Sequence, residues 1–169
     1  MNKITALILF LLMTYSQGNM AQSFGVEVAF ATSKALGLQC LYNNQSNNYK
    51  FGVSYQFSNA RGELVRDQLP NYGQTTDGSG RYFWTIDLGY GKLIDEKIII
   101  DGEVSIGALY NFTNYIDSRF TGGGYHLITK KETALGAGLN LGYMFDQNFG
   151  IYTGFNTIRK LQFGIRYVL

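Results

Sequence analysis

The chain has 169 residues, 46% of them hydrophobic, with 21 Gly, one Pro and one Cys. That length fits one domain, and a net charge of +2 gives no electrostatic case for a nucleic-acid partner. A single Cys excludes an internal disulfide, and the run of Gly with 15% aromatics favours closely packed strands over helices.

The first residues read as a secretory leader. Lys3 supplies the positive start, and residues 4–13 form an apolar run too short to span a bilayer as a helix. A small-residue cleavage site follows at Ser16-Gln17-Gly18, with an alternative after Ala21. Residues 1–21 are therefore expected to be removed, leaving a mature domain at 22–169. No Cys sits at either junction, which argues against a lipoprotein.

From there the chain alternates with a period of two, as strands do. In residues 24–31, Phe24, Val26, Val28 and Phe30 share one face, with Gly25, Glu27 and Ala29 on the other. Residues 35–43 set Leu36, Leu38, Cys40 and Tyr42 against Gly37, Gln39 and Leu41. A polar turn is expected at 43–48. Residues 49–57 set Tyr49, Phe51, Val53, Tyr55 and Phe57 against Lys50, Gly52, Ser54 and Gln56. A long polar loop at 58–80 holds the sole proline, Pro70.

Residues 81–93 put Tyr82, Trp84, Ile86, Leu88 and Tyr90 on one face and Thr85, Asp87, Gly89 and Gly91 on the other. After a tight turn at 95–97, residues 98–112 set Val104, Ile106, Ala108, Tyr110 and Phe112 against Asp101, Glu103, Ser105, Gly107 and Asn111. A second long loop is expected at 113–129, with Gly122-Gly123-Gly124. Residues 130–145 set Leu135, Ala137, Leu139, Leu141 and Tyr143 against Gly136, Gly138, Asn140 and Gly142. Residues 149–156 send Phe149, Ile151, Thr153 and Phe155 one way, and residues 157–160 lead into the last strand. Residues 161–169 alternate throughout: Leu161, Phe163, Ile165, Tyr167 and Leu169 against Gln162, Gly164, Arg166 and Val168.

Eight strands with a bulky apolar face and a small or charged one predict an all-β, eight-stranded antiparallel up-and-down transmembrane barrel. A slightly negative mean hydropathy is no objection, because half of each strand faces the lumen. Both long connections are odd-numbered and every even-numbered one is short. Short periplasmic turns and longer outer loops then place both termini in the periplasm. The aromatics fall into two belts: Tyr42, Tyr49, Tyr90, Tyr143, Phe145, Phe149 and Tyr167 at one end, Phe57, Tyr82, Trp84, Tyr110, Phe112 and Phe155 at the other. Interfacial anchoring needs such girdles. The competing fold is a soluble lipocalin-like barrel with the apolar face inward, but eight strands cannot enclose so many aromatics.

The last strand resembles the C-terminal targeting signal of bacterial outer-membrane β-barrels. Its polar residue, Gly, aromatic and terminal apolar residue are Gln162, Gly164, Tyr167 and Leu169, with Leu169 replacing the usual terminal Phe. The whole mature chain resembles small eight-stranded barrels of the OmpX/OmpA transmembrane type. That resemblance implies an outer-membrane location in a Gram-negative bacterium and assembly by the barrel-insertion machinery. It implies no shared activity.

The inward charges are Glu27, Lys50, Asp87, Asp101, Glu103 and Arg166. An unpaired charge in a low dielectric is costly, so pairing into a polar plug is expected, with Glu27 and Arg166 meeting where the barrel closes. Four acids against two bases leave a narrow ion path as the alternative. Cys40 reads as a small apolar residue facing lipid. His126 is the only histidine, with Ser118, Thr129 and Glu132 as nearby catalytic candidates. Outer-membrane lipid A deacylases carry His-x-Ser at a barrel rim, but here Ile128 stands where the Ser would be, so no catalytic set is assigned.

One His and one Cys make no metal cluster, and the three glycines lack the Lys-Ser/Thr of a phosphate loop. No cofactor is expected. Arg61, Arg66, Tyr72, Tyr115, Arg119, Phe120, Tyr125 and His126 give the outer loops aromatic and basic character. That composition suits lipopolysaccharide phosphates or a surface or host partner. The expected role is a non-enzymatic surface, adhesion or structural protein with a plugged lumen; a rim lipid-modifying enzyme and a narrow pore are the alternatives.

Overall fold

The structure, a computed structural model, describes residues 22–65, 75–94 and 97–169. The leader expected at 1–21, the loop residues Arg66, Pro70 and Tyr72, and the turn residues Asp95 and Glu96 lie outside the described residues.

Among the described residues nine strands follow one another: β1 (Gln22–Ala31), β2 (Ala35–Asn44), β3 (Asn47–Gln56), β4 (Glu63–Val65), β5 (Thr75–Ile94), β6 (Ile98–Ile116), β7 (Gly124–Met144), β8 (Phe149–Asn156) and β9 (Lys160–Val168). All but β4 pair antiparallel with both neighbours, and β9 returns to β1. The ring is closed, so no main-chain edge is left open where the barrel meets lipid. The eight-stranded antiparallel barrel read from the sequence is borne out. The extra strand, β4, runs parallel to the outer end of β7 and is not part of the ring.

Burial is inverted relative to a soluble protein. Phe51, Leu88, Leu139 and Ile165 are more than half exposed, whereas Glu27, Lys50, Asp87 and Arg166 are 1–4% exposed. A water-soluble barrel would show the opposite, and the lipocalin-like alternative fails on this point. The apolar face is the demand of a hydrocarbon solvent, which leaves only the lumen for charge.

The strands outrun their predicted ends. The loop expected at 113–129 is only 117–123: Thr113 pairs opposite Leu127 and Tyr115 opposite Tyr125. Likewise β5 begins at Thr75, inside the loop expected at 58–80. Above the lipid a ladder needs only its backbone hydrogen bonds, so both faces can be polar and the alternation disappears. The turn expected at 43–48 shrinks to Gln45 and Ser46, because Asn43 and Asn44 pair with Asn48 and Asn47. Phe112 also departs from its expected outward place. Its ring is buried beside Tyr82 and His126, next to a bulge at Thr129 of β7, the residue that the β6–β7 register skips.

The β7–β8 turn is fixed by one carboxylate. Asp146 accepts the N–H of Phe149 (2.7 Å) and of Asn148 (2.8 Å). These two backbone donors hold its carboxyl below the usual aspartate range. A depressed folded value means the stabilisation is present above about pH 4 and is lost as pH falls through the folded value. Asp146→Asn is therefore expected to flatten the acid limb of the denaturation midpoint against pH, with little change in its slope above pH 5.

Candidate functional site

The inward faces of the strands build one polar column. Its lower part is a four-membered cluster. Glu27 on β1 stands directly across from Arg166 on β9, and Arg166 donates to its carboxylate through Nε (2.9 Å) and Nη2 (2.5 Å). Lys50 on β3 lies 2.6 Å from Asp101 and 3.3 Å from Glu27, with its Nζ 5.4 Å from the Tyr152 ring centre. Arg166 also reaches Asp101 at 3.4 Å. Each of these two acids thus has two bases.

The upper part centres on Arg159, which the sequence reading left in a connection. Asn156 Oδ1 accepts the N–H of Ile158 (2.9 Å) and of Arg159 (3.3 Å), which forms the tight β8–β9 turn. The guanidinium then enters the barrel. It donates to Ser54 Oγ (2.6 Å) and Asp87 Oδ2 (2.9 Å) and pairs with Glu103. Ser54 and Thr85 also donate to Asp87, at 2.5 and 3.0 Å. A turn residue has no parity to read, so the pattern could not place Arg159. The charge balance could have, since four inward acids with two bases called for a third.

Amides join the two clusters. Gln162 Nε2 donates to Glu103 (3.0 Å) and to Asn140 Oδ1 (2.6 Å), and Asn140 Nδ2 donates to Asp101 (2.7 Å). Below the column sits a small apolar layer of Ile99, Met144 and Val168, with Leu93 against it. Cavities flank the column rather than cross it. One of about 530 Å³ opens at the end where Gln22 and Leu169 lie, and two of about 350 and 480 Å³ open at the other.

The residues of the last strand take different places. Gln162 is in the column, and Gly164 lies under the Tyr152 ring, where a Cβ would sit 2.3 Å from it. Tyr167 and Leu169 face outward.

The described parts of the two long loops form a small sheet, β4 against β7. Gly62, at φ 56°, lies so close to Gly124 that a Cβ would meet its carbonyl oxygen at 1.9 Å. This close approach seats β4 against β7. Arg61 donates its N–H to Asn114 Oδ1 (3.0 Å), Asn114 Nδ2 donates to Asn59 O (3.0 Å), and His126 Nδ1 lies 2.9 Å from Arg61 O.

Three expected loop contacts are changed. Tyr125 is fully buried, stacked on Tyr115 at 5.0 Å and beside Phe120 at 5.1 Å, and offers nothing to a partner. The Arg61 and Arg119 guanidiniums are exposed but engaged with Asp77 and Asp117. The catalytic candidates are not gathered. Glu132 pairs with Lys130, and Thr129 donates to Asn111 O. Among the described residues, no group of three His, Cys, Asp or Glu side chains is placed to hold a metal ion.

The closed ring, the apolar outer belt and the charged interior define a small eight-stranded β-barrel of the outer-membrane type. The chain is similar to the Yersinia pestis outer membrane protein Ail in a phospholipid bilayer nanodisc. The TM-score is 0.52, with 15% identity over 88% of this chain and 100% of that one. Further matches are Neisserial surface protein A (TM-score 0.42, 10% identity, 86% and 93% covered) and a designed transmembrane β-barrel (0.44, 13%, 90% and 98%). At these identities the likeness is one of fold. A scan of protein-family models and a search of curated proteins give no match.

Proposed function

We propose that this chain is a non-enzymatic outer-membrane surface protein. Its lumen is plugged by the ion-pair column, and its outer β4–β7–β6 sheet meets other molecules of the cell surface. In this reading both termini face the periplasm, after removal of residues 1–21. The assembly machinery reads Gln162, Gly164, Tyr167 and Leu169, and the rim sheet faces lipopolysaccharide or a host molecule. The observation that carries the reading is the column itself. Glu27, Asp87, Asp101 and Glu103 are each within ion-pairing distance of Lys50, Arg159 or Arg166. A filled interior suits eight strands, and paired charge leaves no free row of ligands for a moving ion.

Planar-bilayer recording tests it. The protein at neutral pH is expected to leave the membrane at its protein-free baseline. A steady unitary conductance would overturn the plug and bring the narrow pore forward.

A further inference from the structure

The barrel rim is uneven. β7 runs 21 residues and β8 only eight. Their ladder stops at Gly138 opposite Asn156, and the last bonds above it join Thr157 to Ala137. Higher up, among the described residues, β7 has no ladder partner on that side until β4 at Leu127. The wall therefore has a notch between β7 and the β8–β9 turn. A cavity of about 350 Å³ in the barrel mouth, lined also by Thr32, Ser33, Gln56, Arg81, Phe83 and Leu109, reaches it. It is bordered by inward Ala134 and also by Thr133 and Leu135 on either side of it, so it wraps the edge of β7. Leu135 is 68% exposed on the lipid face. The cavity thus runs from the lipid surface into the outer mouth.

Its chemistry is two-sided. Phe83, Leu109, Ala134 and Ile158 make part of the wall apolar, and the exposed Arg81 and Lys160 border it, Lys160 Nζ donating to Thr157 O (2.8 Å). The neighbouring cavity shares Thr32, Ser33, Gln56 and Arg81 and adds Lys34. Among the described residues no acid borders either one. Ser33 Oγ and Gln56 Oε1, both on the shared wall, are buried with no hydrogen-bond partner, and a buried polar group without a partner is unfavourable. A volume of about 350 Å³ falls in the range of small-molecule sites, roughly 300–1,000 Å³.

We propose that this notch binds a long-chain carboxylate, a fatty acid entering sideways from the bilayer. The acyl chain lies along Phe83, Leu109, Ala134 and Ile158. Its carboxylate meets Arg81 and Lys160 and accepts the Ser33 hydroxyl. One chain with one anion fits the single apolar lobe and the single basic mouth. The site is separate from the charged column and from the rim sheet.

The test uses the protein in zwitterionic nanodiscs, titrated with carboxyl-13C dodecanoate and followed by NMR, with empty nanodiscs as the partition blank. A saturable one-to-one component is expected. Ala134→Trp, which fills the lobe, should abolish it. The double variant Arg81→Gln, Lys160→Gln should weaken it at least about tenfold, the effect of a lost charge-assisted hydrogen bond. Dodecanol should bind less well by a similar factor. Heat-modified gel mobility reports folding. If Ala134→Trp does not fold, the exposed double variant still decides. Signal no greater than in empty discs, dodecanol equal to dodecanoate, or unchanged binding in the double variant overturns the proposal. Tighter binding of dodecyl phosphate overturns the choice of carboxylate.

Discussion

Arg159→Met is expected to lower the unfolding free energy by about 3–5 kcal/mol, the usual effect of removing one partner from a buried ion pair. The urea midpoint of gel-mobility loss in lipid vesicles measures it. Among the described residues, Arg159 is the only base within ion-pairing distance of Asp87 and Glu103. Its loss leaves two carboxylates 1–4% exposed with only neutral donors, namely Ser54, Thr85, Asn156 and Gln162. The same change at Arg166 should do less harm, because Lys50 still reaches Glu27 and Asp101. Combining Arg159→Met with Asp87→Asn and Glu103→Gln should recover most of the loss, since the penalty belongs to unpaired charge rather than to missing bulk. An Arg159→Met midpoint equal to the parent's would mean that the column contributes nothing to stability.

Arg159 sits in a turn, where the alternation of the sequence cannot place a side chain, and the reason is general. Lipid enforces a period of two only where strands cross it. There the reading was sound: Leu139, Ile151 and Ile165 face out, Asp101 and Arg166 in. Outside that slab three kinds of information vanish from the pattern. Turn residues such as Arg159 have no parity. A bulge such as the one at Thr129 of β7 shifts the register without a sequence mark. A polar hairpin such as residues 113–127 has no alternating apolar face and looks like a loop. Tyr125 follows from the last of these, since an aromatic in an apparent loop lies at the centre of a stacked cluster. The lateral notch was out of reach for another reason. It depends on the difference in height between β7 and β8, and strand ends are where alternation fades.

Leu139→Arg separates the bilayer reading from any soluble one. Leu139 is 70% exposed and lies midway along the apolar face of β7 between Leu135 and Tyr143. In water, an exposed Leu replaced by Arg changes stability by about 0.5 kcal/mol or less. At the midplane of a bilayer the same change costs about 2–4 kcal/mol, because the guanidinium must be desolvated or must drag water and headgroups inward. Gln147→Arg is the control. It is exposed in the β7–β8 turn, where a charge stays hydrated in either setting, so its midpoint in vesicles should match the parent's. The difference between the two variants isolates the solvent that the belt meets. It should shrink as the bilayer is thinned, since a thinner hydrocarbon slab brings position 139 nearer to the headgroups. Equal small effects at both positions, in thick and thin bilayers alike, would mean that the belt faces water and that the inverted burial needs another cause.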